Sequence, residues 1–571
     1  MRAAQKFSDA DARLLAILLA LGLVTRFALL NYPRAVVFDE YHFGKFVNGY
    51  LSGEYFFDIH PPLGKLVLAL AAYAGGYNGT QGWQNLGDPI PLRDNIYALR
   101  AGPALQGALL PPLLFIAGRA LGLSQPAALL APAGVLFDVC TLVEQRLVLT
   151  DATLLLGIGL QLAASFSSDH YTPLSCAWAM RVGAAGCGIA IAVCTKWTGA
   201  ACLAFGGAHS LLALHRGFTG GARASRLSLE ALARLGLLIL LPAVCYVLCG
   251  LIHFALLPLT GPGASFMSAA FRATLIGENA KSLAAAKFGN PNPSPLSLFD
   301  RFIELNREML RANAGIRTGH EWASKWYQWP LMGRSVLYWI GKLPPYTDPP
   351  DRPVARIYAI GTPAVWWLAA AAPTLFFCWA TARVLAFANP PPPKPAPDAS
   401  ADPTEPSPSA DGETAAAAEE AQPAASTHTA RVYAQPNERV LLSRGVLLLL
   451  GYVANWLPFS YVERAAFIYH FLPALIHALL LAGVLLDAAV PPTPLLHGRT
   501  PSDPRLLEAM SDNPAAPIGD GMAVPDGWRW LAAGALIYMM VACFAFFSPL
   551  AYGVAMSDAD FDARMWLNSW R

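Results

Sequence analysis

Charged residues are scarce in this sequence. Only 14% of its 571 residues are Asp, Glu, Lys or Arg, whereas soluble domains have roughly 25%. The formal net charge is +2, and no run of Lys and Arg suggests a surface that binds nucleic acid. These shortages exclude an ordinary soluble domain and argue against a nucleic-acid partner.

Sequence signatures of metal and nucleotide sites are also missing. The nine cysteines form no Cys-x-x-Cys pair, and no histidine cluster has the spacing of zinc ligands. No glycine-rich loop of the phosphate-binding type is present. We therefore predict neither a zinc site nor a nucleotide site, and we interpret the cysteines as small buried hydrophobic residues.

Hydrophobic residues, by contrast, make up 55% of the chain. They recur in runs of about 20 residues, the length that a helix needs to cross the hydrocarbon core of a bilayer. We predict an all-α polytopic membrane protein with about eleven transmembrane helices. The predicted spans are 12–31, 97–118, 125–142, 149–167, 178–195, 197–214, 235–257, 356–380, 441–461, 466–487 and 529–550. We interpret the first as a retained signal anchor, because no small-residue cleavage site follows it.

Basic residues near the span ends predict the orientation of the chain. Arg2, Lys6 and Arg13 precede or begin the first span, and several arginines follow the sixth. Both regions are therefore assigned to the cytoplasm, which makes the N-terminus cytoplasmic and the C-terminus extracytoplasmic.

This topology divides the chain into parts that differ in composition. The predicted parts are an N-terminal transmembrane module at 1–257 with an extracytoplasmic loop at 32–97, a second extracytoplasmic loop at 258–355, and a C-terminal transmembrane module at 356–571. Both extracytoplasmic loops are rich in aromatic and charged residues and are expected to hold the chemistry. Residues 389–435 are rich in Pro, Ala and Ser, which predicts a disordered cytoplasmic linker, and 491–525 shares this character less strongly.

Two adjacent acids follow the first span. Asp39 and Glu40 lie in the stretch Val-Val-Phe-Asp-Glu-Tyr-His, which ends at His42. A carboxylate that is shielded by lipid and aromatic rings has a raised pKa and becomes a better acceptor for a hydroxyl proton. The same composition is also compatible with an interfacial turn whose acids face water.

A second polar cluster lies in the same loop. Asp58, His60 and Lys65 surround a pair of prolines, which interrupts regular structure. By itself this cluster is compatible either with a binding site or with the start of an interfacial helix.

Together the two clusters resemble the first luminal loop of the protein O-mannosyltransferases. Further stretches that resemble this family are Thr25–Phe27, Tyr97–Arg100, Glu144–Ala152, Thr195–Trp197, Gly261–Ser268, Asn313–Gly315, Arg356–Tyr358, Val365–Trp367 and Ser548–Gly553. The resemblance implies a GT-C-type glycosyltransferase that transfers mannose, with inversion, from dolichyl phosphate mannose to Ser or Thr hydroxyls of proteins. It also implies that Asp39 is the general base and that Glu40 positions the acceptor or the sugar.

Four basic residues are predicted to meet at one membrane face. The topology places Arg26, Arg100, Arg146 and Lys196 near the extracytoplasmic ends of four different spans. A cation inside the apolar slab costs at least about 2.5–3.5 kcal/mol, so four at one depth imply water, partner acids or an anionic ligand. With the family resemblance, we expect them to form a cradle that stabilises the departing lipid phosphate. The alternative is that nearby acids such as Asp151, or lipid headgroups, pair with them.

Other polar and aromatic residues are candidates for substrate binding or for orienting the loops. They are His42, Asp58, His60, Lys65, His320 and Trp329. The aromatic patch that contains the last two is equally typical of an interfacial belt. Asn78 begins an Asn-Gly-Thr tripeptide, which fits an N-glycosylation site and also favours a turn.

The sequence departs from the family at one point. Eukaryotic members carry a luminal MIR domain between the seventh and eighth spans, and the loop of about a hundred residues found here has no room for it. Acceptor choice is therefore open. The endoplasmic reticulum membrane is the expected location, or the plasma membrane if the protein is bacterial.

The resemblance also sets the expected ligands and partners. The donor is dolichyl phosphate mannose, the acceptors are Ser- or Thr-containing polypeptides, and membrane lipid and a second copy or paralogue are further partners. Neither a metal nor another cofactor is expected, because cations can neutralise the leaving phosphate. The alternatives are another polyprenyl-phosphate-sugar glycosyltransferase, or an inactive donor-binding partner of an active paralogue. A transporter is disfavoured because no internal repeat is apparent.

Overall fold

The computed structural model describes residues 7–279, 292–316, 319–341, 353–388, 436–489 and 527–571. The two predicted linkers, at 389–435 and 491–525, lie outside these ranges, as do Arg2 and Lys6. Within them the chain is mostly α-helical, which confirms the predicted fold class.

Twenty α-helices lie within the described residues. Those of the first half are α1 (Asp9–Phe27), α2 (Glu40–Ser52), α3 (Leu63–Ala74), α4 (Ile96–Leu121), α5 (Gln125–Ala128), α6 (Leu130–Leu136), α7 (Val139–Glu144), α8 (Asp151–Ser168), α9 (Cys176–Thr195), α10 (Ala201–Thr219), α11 (Ala224–Leu235) and α12 (Leu241–Leu256). Those of the second half are α13 (Ala269–Arg272), α14 (Leu298–Gly315), α15 (Pro363–Ala388), α16 (Pro436–Trp456), α17 (Leu472–Ala489), α18 (Gly527–Phe547), α19 (Pro549–Tyr552) and α20 (Asp558–Asp562).

Eight helical segments within the described ranges are long and apolar enough to cross a membrane. They are Ile96–Leu121, Cys176–Thr195, Trp197–Thr219, Ala224–Leu256, Pro363–Ala386, Val440–Tyr461, Ile468–Ala489 and Gly527–Phe547. All eight coincide with predicted spans, and the protein is therefore a multi-pass membrane protein. The helices α1 and α8 occupy two more predicted spans, and the total number of spans and the orientation stay predictions.

The predicted continuous span at 125–142 is wrong, because three short helices replace it. The break before α7 occurs at Asp138, whose backbone is extended and whose carboxylate accepts a hydrogen bond from Thr141 N at 2.8 Å. The same buried carboxylate accepts bonds of 2.8 Å from Thr362 N and from Trp366 Nε1. These distant partners fix Asp138 as a helix start rather than as the interior of a long helix.

A small antiparallel sheet accompanies the helices. Its strands, in the order β1-β2-β3, are β1 (Val336–Ile340), β2 (Val354–Ala359) and β3 (Ala555–Met556). Since β2 takes up the first residues of the predicted span at 356–380, the helix there begins only at Pro363, a residue suited to the first turn. The sheet ties the second of the predicted extracytoplasmic loops to the C-terminal segment and presents Tyr338 of β1 to the site described below.

Close packing of α8 against α9 brings two charged residues together. A Cβ atom added at Gly188 would lie 2.6 Å from Gln161 N, and one added at Gly157 would lie 2.8 Å from Ala192 N. These two glycines therefore let the helix backbones touch. Because α8 begins at Asp151 and α9 ends one residue before Lys196, the contact places these two side chains side by side.

Candidate active site

The turn that carries Asp39 is held against β1. Phe38 has a φ of 43°, a left-handed conformation that is unusual for a bulky residue. Its ring stacks on Tyr338 with the ring centroids 4.0 Å apart, and its backbone N–H donates to Tyr338 O at 3.1 Å. These contacts stabilise the strained turn and leave Asp39 at the start of α2, facing a cavity.

This main cavity has a volume of about 460 Å³. Its polar lining consists of four carboxylates, two cations, three histidines and two tyrosines: Asp39, Asp58, Glu144, Asp151, Lys196, Arg464, His42, His60, His470, Tyr338 and Tyr469. Its apolar lining consists of Phe38, Phe43, Phe46, Phe57, Ile59, Leu149, Phe266, Ala312, Ile316, Ala465 and Phe467. A concave site with an apolar wall and a few convergent polar groups is typical of a ligand site.

Asp39 has the properties of a proton acceptor. Its carboxylate is half-buried and makes no hydrogen bond or ion pair with any described residue. Burial raises the pKa of Asp39 to about 6, although the nearby charge of Lys196 acts in the opposite direction. At neutral pH the carboxylate is thus largely ionised, and it is a stronger base than an ordinary aspartate.

Glu40 differs from its neighbour because its carboxylate is fully engaged inside the protein. Its two oxygens accept bonds of 2.8 Å each from Nε and Nη2 of Arg100. They also accept the backbone N–H groups of Val37 and Val148 at 3.1 Å and 3.0 Å. Glu40 does not line the cavity, and the predicted contact with acceptor or sugar is replaced by a role in holding the loop.

Arg100 is buried and completes this arrangement. Besides Glu40, its guanidinium donates to the carbonyl groups of Leu30, Pro33 and Ala35 at distances of 2.9–3.3 Å. The side chain therefore ties the segment after α1 to the first turn of α4. Its donors point at protein acceptors and not at the cavity.

Arg26 and Arg146 are also engaged internally. Arg26 donates to Oε1 of Gln145 at 3.0–3.1 Å and to Val135 O at 2.6 Å. Arg146 donates to Ala551 O at 3.0 Å and to two carbonyl groups just after α1. The structure places these arginines near one another, as predicted from the topology, but neither lines the cavity. The expected phosphate cradle is not formed by them in this structure.

Lys196 is the member of the predicted cradle that lines the cavity. Its Nζ lies 2.6 Å from Oδ2 of Asp151, and 5.7 Å from the ring centroid of Tyr469. In the wall of the same cavity, the hydroxyl of Tyr338 donates to the carboxylate of Glu144. Burial and the charge of Asp151 hold the pKa of Glu144 well above its usual range.

Two residues of the second polar cluster line the cavity, and the third, Lys65, holds them from outside it. Lys65 pairs with Asp58 at 2.5 Å and donates to the carbonyl groups of His60 and Pro61 at 2.6 Å and 3.1 Å. Burial alone would raise the pKa of Asp58, but Lys65 and the hydrogen bonds outweigh it and lower it. Burial lowers the pKa of His60 to about 3, so this imidazole is neutral. Asp58 and His60 line the cavity, whereas Lys65 lies behind the loop.

The remaining candidates occupy several places. His42 lines the cavity, and burial lowers its pKa. His320 is exposed, with its ring centroid 5.1 Å from that of Phe467. Asn78 is exposed and accepts a bond of 2.9 Å from Thr80 Oγ1.

Trp329 lines a second, smaller cavity of about 190 Å³. Its indole N–H donates to Ser324 Oγ at 2.9 Å. This second cavity is lined by Gly319, Ala323, Ser324, Lys325, Trp326, Gln328, Trp329, Phe459, Val462, Glu463, Arg464, Ala465 and Ala466. Arg464 and Ala465 line both cavities, which are therefore adjacent.

Several residues of the cavity wall were not predicted from the sequence, among them Arg464 and the aromatic residues Tyr338 and Tyr469. A usable signal existed for Arg464, which lies in a four-residue segment between two predicted spans on the extracytoplasmic side. An arginine there runs against the positive-inside tendency. No comparable signal marks Tyr338, because its strand falls within a segment that was predicted as a loop.

The described residues contain no group of three or more His, Cys, Asp or Glu side chains placed to hold a metal ion. The expectation of a reaction without metal or cofactor stays a prediction.

Comparison with known proteins gives matches in both transmembrane modules. The family described as dolichyl-phosphate-mannose-protein mannosyltransferase matches residues 16–258, and the C-terminal four-transmembrane region of protein O-mannosyltransferase matches 298–397 and 423–570. The dolichyl-phosphate-mannose–protein mannosyltransferase 4 of Candida albicans is 36% identical over 269 residues, which are 46% of this chain and 35% of the relative. The protein of the same name from Schizosaccharomyces pombe is 37% identical over 266 residues, 45% of this chain and 34% of the relative.

A vertebrate relative and a solved structure extend the comparison. Protein O-mannosyl-transferase 2 of Danio rerio is 33% identical over 270 residues, 47% of this chain and 35% of the relative. The chain thus spans about a third of the length of the curated relatives that it matches. The structure of the Saccharomyces cerevisiae Pmt1-Pmt2 complex bound to the sugar donor shares the fold, with a TM-score of 0.79 at 18% identity over 100% of this chain and 93% of that chain. The resemblance found in the sequence is thereby confirmed, and the chain belongs to the protein O-mannosyltransferase family.

Proposed function

We propose that the protein transfers mannose from dolichyl phosphate mannose to Ser or Thr hydroxyls of polypeptides in the lumen of the endoplasmic reticulum. One observation carries the proposal: in a chain of this family, Asp39 lines the main cavity and is the acid there whose carboxylate has no bonding partner among the described residues. Asp58 pairs with Lys65, and Asp151 pairs with Lys196. Asp39 is thus available to a substrate hydroxyl.

The proposed reaction is a single displacement. The acceptor hydroxyl oxygen forms a bond to the anomeric carbon while the bond from that carbon to the phosphate oxygen breaks. The bonding pair leaves with the phosphate, and Asp39 takes the hydroxyl proton. The products are the mannosylated polypeptide and dolichyl phosphate, and one displacement inverts the anomeric configuration.

Two ion pairs, Glu40–Arg100 and Lys196–Asp151, position Asp39 and influence its pKa. Glu40 and Arg100 fix the turn that presents Asp39, and we assign Glu40 as a positioning residue. Lys196 lowers the pKa of Asp39 by its charge, which keeps the base ionised at neutral pH, and Asp151 holds Lys196 in place. A side-chain cation can also neutralise the leaving phosphate, so the proposed reaction requires no metal.

The acceptor is proposed to reach Asp39 from the second cavity. This cavity adjoins the main one and is lined by the half-buried ring of Trp326, which suits the side chains that flank an acceptor hydroxyl. Asp58, His60 and His42 remain the candidates for contacts with the sugar hydroxyls, because all three line the main cavity. His320 lies at its edge, where its charge lowers the pKa of Asp39.

Partner and location are proposed from the relatives. The solved structure with the same fold is a complex of Pmt1 and Pmt2, and we propose that this chain likewise pairs with a second copy or with a paralogue. We propose the endoplasmic reticulum membrane as its location.

The experiment that tests the proposed function is a transfer assay with the purified full chain in lipid nanodiscs. Donors would be dolichyl phosphate mannose, dolichyl phosphate glucose and a polyprenyl phosphate carrying another sugar, each offered with a peptide that contains Ser and Thr and with a lipid acceptor. Transfer of mannose to the peptide is the expected result. Preferred transfer of another sugar, or to lipid, would favour a different glycosyltransferase. Transfer that needs an added paralogue and persists when this chain carries Asp39→Asn would favour a donor-binding partner.

A further inference from the structure

Arg464 is a half-buried cation of the cavity wall that has no bonding partner among the described residues. It lies between the membrane segments Val440–Tyr461 and Ile468–Ala489 and lines both cavities. Its guanidinium forms no hydrogen bond with any described residue and has no carboxylate of the described chain within 4 Å. All of its N–H donors are therefore available to a ligand.

The other cation that lines the main cavity is already paired with an acid, as is Lys65 beside it. Lys196 is paired with Asp151, and Lys65 with Asp58, at 2.6 Å and 2.5 Å. The three arginines of the predicted cradle bond to internal acceptors. Arg464 is thus the described cation of the cavity wall whose hydrogen-bonding capacity is left for a substrate.

The surroundings of Arg464 favour an anion. Burial lowers the pKa of this guanidinium, and the charges of Asp58 and Asp39 raise it without either acid coming into contact. A half-buried guanidinium without a partner is unfavourable until an anion binds to it. The residue is therefore arranged to receive negative charge.

We propose that Arg464 binds the phosphate of the lipid-linked donor and so sets the anomeric carbon opposite Asp39. This inference rests on the proposed function, whose substrates include one obligatory anion, the phosphodiester of the donor. The planar fork of an arginine matches two phosphate oxygens at once. As the bond to the sugar breaks, the pair of electrons that passes to the phosphate oxygen is stabilised by the same guanidinium.

The apolar wall supports the same assignment. Phe57 and Phe266 stack with their ring centroids 4.6 Å apart and line the cavity, and Phe266 is half exposed. An isoprenoid chain attached to the phosphate can leave the cavity along these rings. The second cavity, which Phe57 and Phe266 do not line, is left for the acceptor. Since an acceptor polypeptide need not be acidic, a fixed cation at this point suits the donor better.

The test measures lipid binding without transfer. The full chain in nanodiscs would be titrated with dolichyl phosphate and with dolichol, which differ only in the phosphate. The wild type is expected to prefer dolichyl phosphate, and Arg464→Ala to weaken its binding about 10- to 100-fold while dolichol binding is unchanged. Arg464→Lys should fall between them, because it keeps the charge but loses the fork.

A matched control is Arg311→Ala. Arg311 lies in α14, is 63% exposed and forms a surface pair with Glu308 at 3.5 Å, so both lipids should bind to this variant as to the wild type. Thermal unfolding supplies a second readout. Arg464→Ala should not lower the melting temperature, because the side chain makes no bond to any described residue.

Three results would overturn the assignment. Unchanged binding of dolichyl phosphate to Arg464→Ala would remove the residue from the phosphate site. A rise confined to the KM for acidic peptides would make it an acceptor contact, and a large fall in melting temperature would make it structural. Since binding is measured without sugar, a wild type that binds dolichyl phosphate through Arg464 but transfers no mannose would contradict only the proposed function.

Discussion

An arginine near this site can either bind the donor or stabilise the fold, and the ion pair between Glu40 and Arg100 allows the two roles to be distinguished. If Arg100 binds the donor, its loss should weaken binding and leave the fold intact. In the structure both side chains are fully buried, and Arg100 donates to both carboxylate oxygens and to three backbone carbonyl groups. We therefore expect the main effect of Arg100→Ala to be a loss of folding stability and not a loss of ligand binding.

The magnitude follows from what the substitution leaves behind. Removing one partner of a buried ion pair leaves the other charge buried and unpaired, which lowers the free energy of unfolding by about 3–5 kcal/mol. The carbonyl groups of Leu30, Pro33 and Ala35 would lose their donor as well. Arg100→Lys keeps the charge but has three donors for five bonds, so at least two bonds are lost, at about 1–3 kcal/mol each.

The assay is thermal unfolding of the full chain in nanodiscs without donor. The melting temperature should fall by several degrees for Arg100→Lys and further for Arg100→Ala, while Arg311→Ala behaves as the wild type. A variant Arg100→Ala with the melting temperature of the wild type and weaker binding of dolichyl phosphate would refute this reasoning. Such a result would restore Arg100 to the phosphate site.

Four other outcomes are expected. The transfer rate should rise with pH and level off above about 6, because only ionised Asp39 accepts a proton, and a rate that is constant from about pH 5 to pH 7 would contradict this. The pKa of Asp39 is higher in the folded than in the unfolded chain, so ionisation of Asp39 lowers the free energy of unfolding as pH rises from about 4 to 6. Asp39→Asn should therefore raise the melting temperature at about pH 7 and leave it unchanged near pH 3. Gly188→Ala should lower the free energy of unfolding by about 1–3 kcal/mol, because the added Cβ would clash with the backbone of α8. Gly207→Ala should not, because a Cβ at that position has no atom within 4 Å. Expression in glycosylating cells should give a band shift that Asn78→Gln removes, and no shift would argue against a luminal position for this exposed residue.

The apolar part of the fold could be predicted from the sequence because hydropathy is a local property. Eight predicted spans coincide with helices that satisfy both length and apolarity. The segment at 125–142 could not be predicted, since its break depends on bonds from Asp138 to Thr362 and Trp366, more than two hundred positions away. Side-chain partners of this kind leave no local trace in a single sequence.

The site shows the same division. Asp39 could be selected from its position after the first span and its aromatic neighbours. The roles of the basic residues could not, because Arg26 and Arg100 reach their partners Gln145 and Glu40 across 119 and 60 positions. The topology predicted that the basic residues lie close together. Whether each cation binds the protein or a ligand depended on acceptors that only the folded chain brings near.

The most direct test is single-turnover transfer by Asp39→Asn with saturating donor. We expect the rate to fall at least about 100-fold, as for the loss of a general base, while binding of dolichyl phosphate stays that of the wild type. The matched control is Glu54→Gln, an acid-to-amide change in the same loop at an exposed residue, which should transfer at the normal rate. An Asp39→Asn variant that transfers mannose as fast as this control would show that the proton goes elsewhere and that Asp39 is not the base.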